Sequence, residues 1–295
     1  MQHRTKGEKI FAWGNLCFLI LLSLTCIFPL IHILAISFSS RTSAMSGIVT
    51  IFPVDFTLSA YKYILAKSEF LISFMISVQR VFLGVSINMI LVILTAYPLS
   101  KEVRAFRTRT MYVWIFVFTI LFSGGLIPFY MTIRYTGLLD SIWSLVLPVS
   151  IPTMVFNIVL LLNFFRQLPK ALEEAAFIDG ASQWKTLWKI YVPLSIPALA
   201  TISLFTIVFH WNEWFFGFVL MNNPENYPLS SYLQKVISEQ DLVNLRFVEQ
   251  SELSNISDRT AKAAQIVLAI VPILMVYPFL QRYFVKGIVL GSVKE

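Results

Sequence analysis

Six long apolar runs constrain the fold of this 295-residue chain more than any other feature of its sequence. A hydrocarbon layer of roughly 30 Å requires about 20 predominantly apolar residues for each helix that crosses it. Every run meets that length, and none alternates apolar and polar residues as a strand of an outer-membrane barrel does. A water-soluble globule is also excluded, because 57% of the residues are hydrophobic and only 13% are charged. The sequence therefore predicts an all-α membrane protein with six transmembrane helices near residues 12–36, 72–99, 110–131, 143–165, 194–221 and 263–284.

The Lys and Arg residues predict how these helices are oriented. Basic side chains are enriched in the loops that stay in the cytoplasm. Most of the 23 Lys and Arg residues lie in the N-terminal segment, the second and fourth connections and the C-terminal segment, which share one side of the membrane if all six runs span it. Both termini are therefore expected to be cytoplasmic. The net charge of +7 is interpreted as a topology signal, and nucleic-acid binding is not expected.

The same pattern divides the chain into three parts. Residues 1–71 hold an N-terminal cytoplasmic segment, the first transmembrane helix and an outer loop. Residues 72–284 form a core of five transmembrane helices with a cytoplasmic loop at 166–193, and residues 285–295 form a cytoplasmic tail. The two long outer connections, 37–71 and 222–261, are polar and contain Pro and Asn, so they are either solvated loops or short helices that meet a partner.

Several kinds of chemistry are excluded by what the sequence lacks. The dipeptide Gly-Lys never occurs, so a phosphate-binding loop of the G-x-x-x-x-G-K-[ST] kind is impossible. The three His residues lie far apart at positions 3, 32 and 210, and the two Cys residues lie in one apolar run. None of these spacings matches a known set of metal ligands. We expect no metal and no cofactor on this chain, and any nucleotide chemistry must come from another protein.

The segment 173–193, EEAAFIDGASQWKTLWKIYVP, is charged although it lies between two apolar runs. Gly180 can adopt the left-handed conformation that ends a helix, and Ser182 can cap the next one. The sequence therefore predicts two short helices that meet at Gly180. Helical spacing places four apolar side chains of the second helix on one stripe, namely Trp184, Leu187, Trp188 and Tyr191.

The first of these two helices has the composition of a docking surface. Ala175 and Ala176 would let the backbone of a partner approach closely, and Glu174 offers acceptor oxygens to an Arg or Lys. The alternative is an amphipathic helix that lies on lipid headgroups, which the nearby Trp and Lys residues would suit. Two acidic residues in its first turn beside small residues favour docking over that alternative.

The spacing within this segment is specific. The run Glu174-Ala175-Ala176 is separated from Gly180 by three residues. Nine further residues separate Gly180 from Ile190, and Val192 and Pro193 follow. This spacing resembles the EAA motif of permeases from ATP-binding cassette (ABC) importers, with Val192 where Leu is usual. By that resemblance the residues that couple the permease to its ATPase are Glu174, Ala175, Ala176, Gly180, Ile190 and Pro193.

The resemblance covers nearly the whole chain. Stretches at 94–101, 122–131, 139–148, 210–215 and 276–295 are similar to the maltose-type carbohydrate permeases. More narrowly, they resemble the LplC/YtcP-like branch, which is associated with import of complex oligosaccharides in Gram-positive bacteria. The resemblance implies a type I ABC importer permease fold in a bacterial cell membrane.

It also implies a set of partners. These are a second homologous permease, two ABC ATPase subunits that hold ATP and Mg, an extracellular lipid-anchored sugar-binding protein and an oligosaccharide substrate. In such a system the permease chain makes and breaks no covalent bond.

Polar residues inside the apolar runs are candidates for the substrate pathway, because they usually face the bundle interior or an aqueous cavity. Aromatic residues near them offer flat faces on which a sugar ring can stack. The alternative for each polar residue is a hydrogen bond between helices or a charge that reaches the membrane surface. The candidates are Arg80, Asn88, Tyr130, Asn157, Trp211, Asn212, Glu213 and Trp214.

A second function stays open at this point. A secondary transporter for a polar solute, with residues 173–193 as an interfacial amphipathic helix, would fit the composition. Such a transporter normally shows inverted repeats and charges near the membrane midplane. No internal repeat is visible, and no nucleophile–base set or metal cluster suggests an enzyme. An ABC permease is therefore the favoured prediction.

Overall fold

A computed structural model describes residues 6–238 and 257–292, and the side chains of residues 7–238 and 257–279. Within these residues every regular element is a helix, which confirms the all-α prediction. The helices are α1 (Lys6–Ser37), α2 (Arg41–Met45), α3 (Ser59–Ala66), α4 (Ser68–Ser100), α5 (Arg109–Leu121), α6 (Leu126–Tyr135), α7 (Ile142–Val146), α8 (Ile151–Gln167), α9 (Lys170–Ile178), α10 (Gln183–Thr186), α11 (Val192–Leu194), α12 (Ile196–Asn212), α13 (Phe215–Leu220), α14 (Leu229–Ser238) and α15 (Asp258–Ser292). A π-helical segment, Leu187–Tyr191, joins α10 to α11, and a 3₁₀ turn lies at Pro224–Asn226.

Three described helices, α1, α4 and α15, are long and apolar enough to cross a membrane by themselves. Three further pairs of helices pass the same test only together, because each pair is bent by 74° to 112° at a short break. The number of candidate spans is therefore three to six, and the predicted six is the upper value.

Three of the predicted spans are interrupted in the structure. The span at 143–165 breaks at residues 147–150, between α7 and α8. The span at 110–131 bends by 112° between α5 and α6, where Gly125 adopts a φ of +87°, and this confirms the bend that Gly124 and Gly125 before Pro128 predict in the sequence. A positive φ of this kind is accessible to glycine and interrupts a right-handed helix. The span at 194–221 stops at Asn212 and resumes at Phe215, because Glu213 has an extended backbone.

The chain forms two compact units. The first consists of residues 1–68 and 235–271. Its described core is a small cluster of Ala35, Ile36, Ala44, Val49 and Ala263. The two long connections, 37–71 and 222–261, were predicted to be either solvated loops or short helices. Both contain helices, namely α2 and α3 in the first and α14 in the second. Residues 239–256 of the second connection lie outside the described residues.

The second unit consists of residues 69–234 and 272–295, and it holds the candidate site. We call the end of this unit that carries residues 100–109 and 166–193 the loop end. A hydrophobic cluster of α4, α8 and α12 lies there, centred on Val92, Leu161 and Ile202. The opposite end, the far end, has its own cluster around Ile133, Leu145 and Leu220.

Helix α4 approaches α12 very closely near the far end, at Gly84. A Cβ atom at position 84 would overlap Nε2 of His210, whose side chain is fully buried. No side chain fits at this position without moving the imidazole. Glycine is therefore required here by packing.

We expect Gly84→Ala to lower the free energy of unfolding by about 1 to 3 kcal/mol, the usual effect of overpacking a core. Thermal unfolding of the purified protein in detergent measures the change. Gly14→Ala is the matched control, because Gly14 also lies within a helix but has no neighbouring atom within 4 Å of the place that an alanine methyl group would occupy. Equal stability of the two variants would show that the α4–α12 contact is not as close as described.

Candidate functional site

The segment 166–193 forms two helices that meet at Gly180, as the sequence predicts. Gly180 has a φ of +73° and follows the last turn of α9. The N–H of Ala181 donates to the carbonyl of Ala176 at 2.8 Å, and the N–H of Gly180 donates to that of Phe177 at 3.1 Å. These two bonds form a Schellman motif. Ser182 then caps α10 by accepting a hydrogen bond from the N–H of Lys185.

The second helix differs from the prediction in its apolar face. Leu187 and Tyr191 are buried, whereas Trp184 and Trp188 are 62% and 43% exposed. The single stripe splits because residues 187–191 form a π-helix, whose wider turn changes the angle between successive side chains. The two exposed tryptophans pack edge to face against each other, with ring centroids 6.3 Å apart. They add an aromatic patch to this surface of the loop.

The residues of the proposed coupling motif divide between surface and core. Glu174, Ala175 and Pro193 are exposed, and Ile190 is half-buried against the loop-end cluster. Ala176 is only 7% exposed, so in the described structure its side chain offers little surface to a partner, and its part in coupling stays a prediction. Its side chain faces the helix bundle because it lies on the inner side of α9. The outer face of α9 instead presents Ile178, which is 86% exposed.

Glu173 connects α9 to the end of α4. Its carboxylate accepts a hydrogen bond from Nζ of Lys101 at 2.6 Å and another from the hydroxyl of Tyr191 at 2.5 Å. The Lys101 ammonium also lies over the rings of Tyr97 and Tyr191, at 3.9 and 4.4 Å from their centroids. Burial lowers the pKa of Lys101, and the adjacent Glu173 partly offsets this effect. Because the Lys101 ammonium is both ion-paired and stacked on aromatic rings, it holds α9 in a fixed position against the end of α4.

A second bond ties the same region of α4 to α10. The hydroxyl of Tyr97 donates to Oε1 of Gln183 at 2.6 Å. Both short helices of the loop are therefore attached to α4, one on each side of Gly180. We call Tyr97, Lys101, Glu173, Gln183 and Tyr191 the loop network.

The sequence did not identify the loop network. In the sequence Lys101 counts only as one of the basic residues of the second connection, and Glu173 only as one of the two acidic residues that favour docking. The bond between Lys101 and Glu173 joins residues 72 positions apart, which no local pattern predicts. The available signal was the second acidic residue, Glu173, because docking was assigned one acceptor side chain, Glu174.

At the far end, the candidate pathway residues Arg80 and Glu213 form an ion pair. Nη2 of Arg80 lies 2.7 Å from Oε2 of Glu213, and Nη1 donates to the Glu213 carbonyl at 2.8 Å. The Arg80 side chain is fully buried and that of Glu213 is 11% exposed. Oε1 of Glu213 accepts from the N–H of Phe216, so the same carboxylate caps α13. The pair fixes the break between α12 and α13 against α4.

The candidate pathway residues Asn88 and Asn157 also meet. Nδ2 of Asn157 lies 3.2 Å from Oδ1 of Asn88 and 3.2 Å from the hydroxyl of Thr206. All three residues are buried, and they lie on α4, α8 and α12. In the described structure these three side chains therefore join the helices to one another by hydrogen bonds. Their role in a substrate pathway stays a prediction.

The remaining candidates are more dispersed. Trp211 is buried and packs edge to face on Phe74, while Asn212 and Trp214 are exposed and Tyr130 is half-buried. A pocket of about 450 Å³ beside Trp211 has Ser86 as its one polar lining residue. Such a wall offers almost no hydrogen bonds to a sugar, so we assign no sugar site to this pocket.

Asp140 organises a turn at the far end that the sequence did not predict. It adopts a φ of +59°, and its carboxylate accepts hydrogen bonds from the backbone N–H groups of Asn222 and Asn223 and from the side-chain amides of Asn223 and Asn226. These bonds, led by that from Asn226, lower the pKa of Asp140. The turn ties the α6–α7 connection to the connection after α13.

Among the described residues, no group of three or more His, Cys, Asp or Glu side chains is arranged to hold a metal ion. The second unit thus contains several polar assemblies, among them the loop network and the Arg80–Glu213 pair. These two are attached to α4, the loop network at its C-terminal end and the ion pair at Arg80, within its N-terminal half.

Comparisons with known proteins cover nearly the whole chain. The family described as "Binding-protein-dependent transport system inner membrane component" matches residues 71–290. The chain is 39% identical to the polygalacturonan/rhamnogalacturonan transport system permease protein YtcP of Bacillus subtilis (strain 168), over 94% of this chain and 96% of that protein. It is 38% identical to protein LplC of the same organism, over 99% of this chain and 97% of that protein.

A solved structure is similar over the same extent. It is a chain of a bacterial ABC transporter involved in the import of the acidic polysaccharide alginate. The TM-score is 0.84 and the sequence identity 35%, with 96% of this chain and 100% of that chain covered. The bent helices described above thus belong to a fold that an importer permease adopts.

Proposed function

The chain belongs to the family of binding-protein-dependent transport system inner membrane components, and on that premise we propose that it forms half of the pathway of an ATP-driven importer for oligosaccharides. A second, related permease forms the other half. ATP and Mg are held by two ABC ATPase subunits, since this chain has no phosphate-binding loop. An extracellular lipid-anchored binding protein delivers the sugar. The system resides in a bacterial cell membrane, and the Bacillus relatives favour a Gram-positive host.

The loop end is the side on which we place the ATPase. Its outer surface presents Glu174, Ala175 and the 86% exposed Ile178, which together offer an acceptor for a cation, a site of close approach and an apolar contact. With the loop end in the cytoplasm, both chain termini are cytoplasmic as well. Glu174, Ala175, Gly180 and Pro193 then contribute to docking, while Ala176 and Ile190 hold the loop against the permease.

The observation that carries this proposal is the attachment of the docking loop to α4. Closure of the ATPase dimer would move α9, and the Lys101–Glu173 bond would pass that displacement to the end of α4. The bond between Tyr97 and Gln183 would do the same for α10.

Helix α4 then conducts the movement across the membrane. From Lys101 to Arg80 it spans roughly 30 Å at 1.5 Å per residue. Arg80 joins α4 to the break between α12 and α13, so the same displacement would reach the far end. Alternating access, in which two conformations open to opposite sides, needs such a rigid connection between its two gates.

The relatives suggest the class of sugar. One similar protein is a transport system permease for polygalacturonan or rhamnogalacturonan, and another belongs to a transporter that imports the acidic polysaccharide alginate. We therefore propose oligosaccharides that contain uronic acids as the substrate. The exposed Asn212 and Trp214, the half-buried Tyr130 and the buried Trp211 stay candidate contacts on this chain, with Arg80, Asn88, Asn157 and Glu213 supporting them from the interior.

Uptake into proteoliposomes tests the function. The complete transporter, with its partner permease, ATPase and binding protein, is expected to accumulate galacturonate oligosaccharides only when ATP is present with the ATPase. Neutral malto-oligosaccharides of equal length serve as the control. Uptake that needs an ion gradient and no ATP would contradict the importer and favour the secondary transporter, and preference for the neutral sugar would contradict the substrate class.

A further inference from the structure

A charged groove at the loop end borders the loop network and also contains arginines that the account above does not use. It has a volume of about 630 Å³ and lies between the connection after α4, the end of α8 and the inner side of α9. Its charged lining residues are Lys101, Glu102, Arg104, Arg109, Arg166, Lys170, Glu173 and Glu174. Five of these side chains are basic and three are acidic.

Two of the basic residues already have carboxylate partners. Lys101 pairs with Glu173, and Lys170 pairs with Glu102. In the described part of the chain, no carboxylate oxygen lies within 4 Å of Arg104, Arg109 or Arg166. The groove therefore retains three guanidinium groups whose charge is not neutralised by a direct ion pair.

The arginines Arg109 and Arg166 are held in place by the end of α4. Nη1 of Arg109 donates to the carbonyl of Lys101 at 2.9 Å, and Nη2 of Arg166 donates to the carbonyl of Leu99 at 3.4 Å. Their positive charges repel one another. Nε of Arg109 is buried and has no hydrogen-bond partner among the described residues. Two fixed, mutually repelling guanidinium groups favour the binding of an anion between them.

The location of the groove indicates which anion. It lies where α4, α5 and α8 end, so it is at the level of the lipid headgroups if these helices span the membrane. The first turns of α5 beside it bear the exposed side chains Tyr112 and Trp114, which are typical of that level. None of the side chains of α5 is buried, so its apolar surface is open to acyl chains.

We propose that this groove binds the phosphodiester headgroup of an anionic phospholipid, with Arg109 and Arg166 as its main contacts and Arg104 at the rim. Basic pockets between transmembrane helices have this chemistry in general. The acyl chains would lie along α5. The site borders Lys101 and Glu173, so a bound lipid would contact the loop network directly.

Lipid retention by the full-length protein tests the proposal. The protein is reconstituted in nanodiscs of phosphatidylcholine with a minor share of phosphatidylglycerol, extracted in mild detergent, and analysed for co-purifying lipid by mass spectrometry. We expect phosphatidylglycerol to be enriched over its bulk share. The double variant Arg109→Gln/Arg166→Gln should lose that enrichment by roughly fivefold for each arginine removed.

Two control variants keep the result interpretable. Lys62→Gln/Arg134→Gln removes the same charge from exposed positions outside the groove and should retain the lipid. Arg109→Lys/Arg166→Lys keeps the charge and should retain part of the enrichment, even if the Gln variant folds poorly. Enrichment that is absent in the unmodified protein, or unchanged in the Gln variant, would overturn the proposal.

The test also distinguishes other occupants. Inorganic phosphate should not displace the lipid, and displacement with the same dependence on Arg109 and Arg166 would assign the groove to a soluble phosphate instead. Addition of the ATPase subunits should leave the lipid bound. Its stoichiometric release on their binding would assign the groove to an acidic surface of the ATPase.

Discussion

Replacing Gly180 by proline is expected to lower both sugar uptake and sugar-stimulated ATP hydrolysis by at least about tenfold, the effect of losing roughly 1.4 kcal/mol of docking free energy. Proline fixes φ near −65°, whereas Gly180 has a φ of +73°, so the Schellman motif that ends α9 cannot form. The outer face of α9 would then be misplaced relative to α10. Uptake and ATP hydrolysis are measured on the complete transporter in proteoliposomes.

Gly180→Asn is the matched control, because asparagine tolerates the left-handed conformation far better than other residues. It should retain most of the activity. Glu174→Lys, which reverses the charge of an exposed side chain and leaves the turn intact, should reproduce the loss. Normal stimulated ATP hydrolysis in both Gly180→Pro and Glu174→Lys, with normal amounts in the membrane, would contradict the docking role of this loop.

Breaking the Arg80–Glu213 pair is expected to have the largest effect on stability. Removal of one partner from a buried ion pair costs about 3 to 5 kcal/mol, because an uncompensated charge is left behind. Arg80→Met should therefore reduce the free energy of unfolding by about that amount. It should also release the break between α12 and α13, since Arg80 binds the carbonyl of Glu213 as well. Thermal or denaturant unfolding in detergent measures the change.

A double-variant cycle separates the ion pair from packing. Glu213→Gln keeps an acceptor for the N–H of Phe216 while removing the charge. The variant Arg80→Met/Glu213→Gln should be more stable than Arg80→Met alone, because no buried charge is left unpaired. Additive losses would mean that the two side chains do not interact, which contradicts the 2.7 Å contact.

The features that the sequence predicted well are local. The turn at Gly180 and the cap at Ser182 depend on residues within five positions of one another, and both were predicted. The apolar runs depend on composition within about 20 residues. Their shape was only partly predictable. Gly124 and Gly125 before Pro128 indicate the bend at Gly125, whereas Glu213 was predicted as a pathway residue and not as the place where α12 breaks.

The features that the sequence did not reveal join distant residues. Arg80 and Glu213 are 133 positions apart, and each was predicted separately as polar within a span. The turn at Asp140 depends on three asparagines more than 80 positions away. The π-helix at 187–191 changes the side-chain directions without a change in sequence periodicity, so Trp184 and Trp188 were placed on the wrong face.

The central claim is that the loop at 166–193 docks on the ATPase, and site-directed cross-linking tests it most directly. Cysteine replaces Ile178 in a background in which the two native cysteines, Cys17 and Cys26, are changed to serine. Tyr135, at the far end, is the control position because it is 81% exposed and Ile178 is 86% exposed. We predict that Ile178→Cys cross-links to the ATPase in membranes, with a yield that changes on addition of ATP, and that Tyr135→Cys does not. Cross-linking of the ATPase through position 135, or its absence at position 178 in an active complex, would contradict the account.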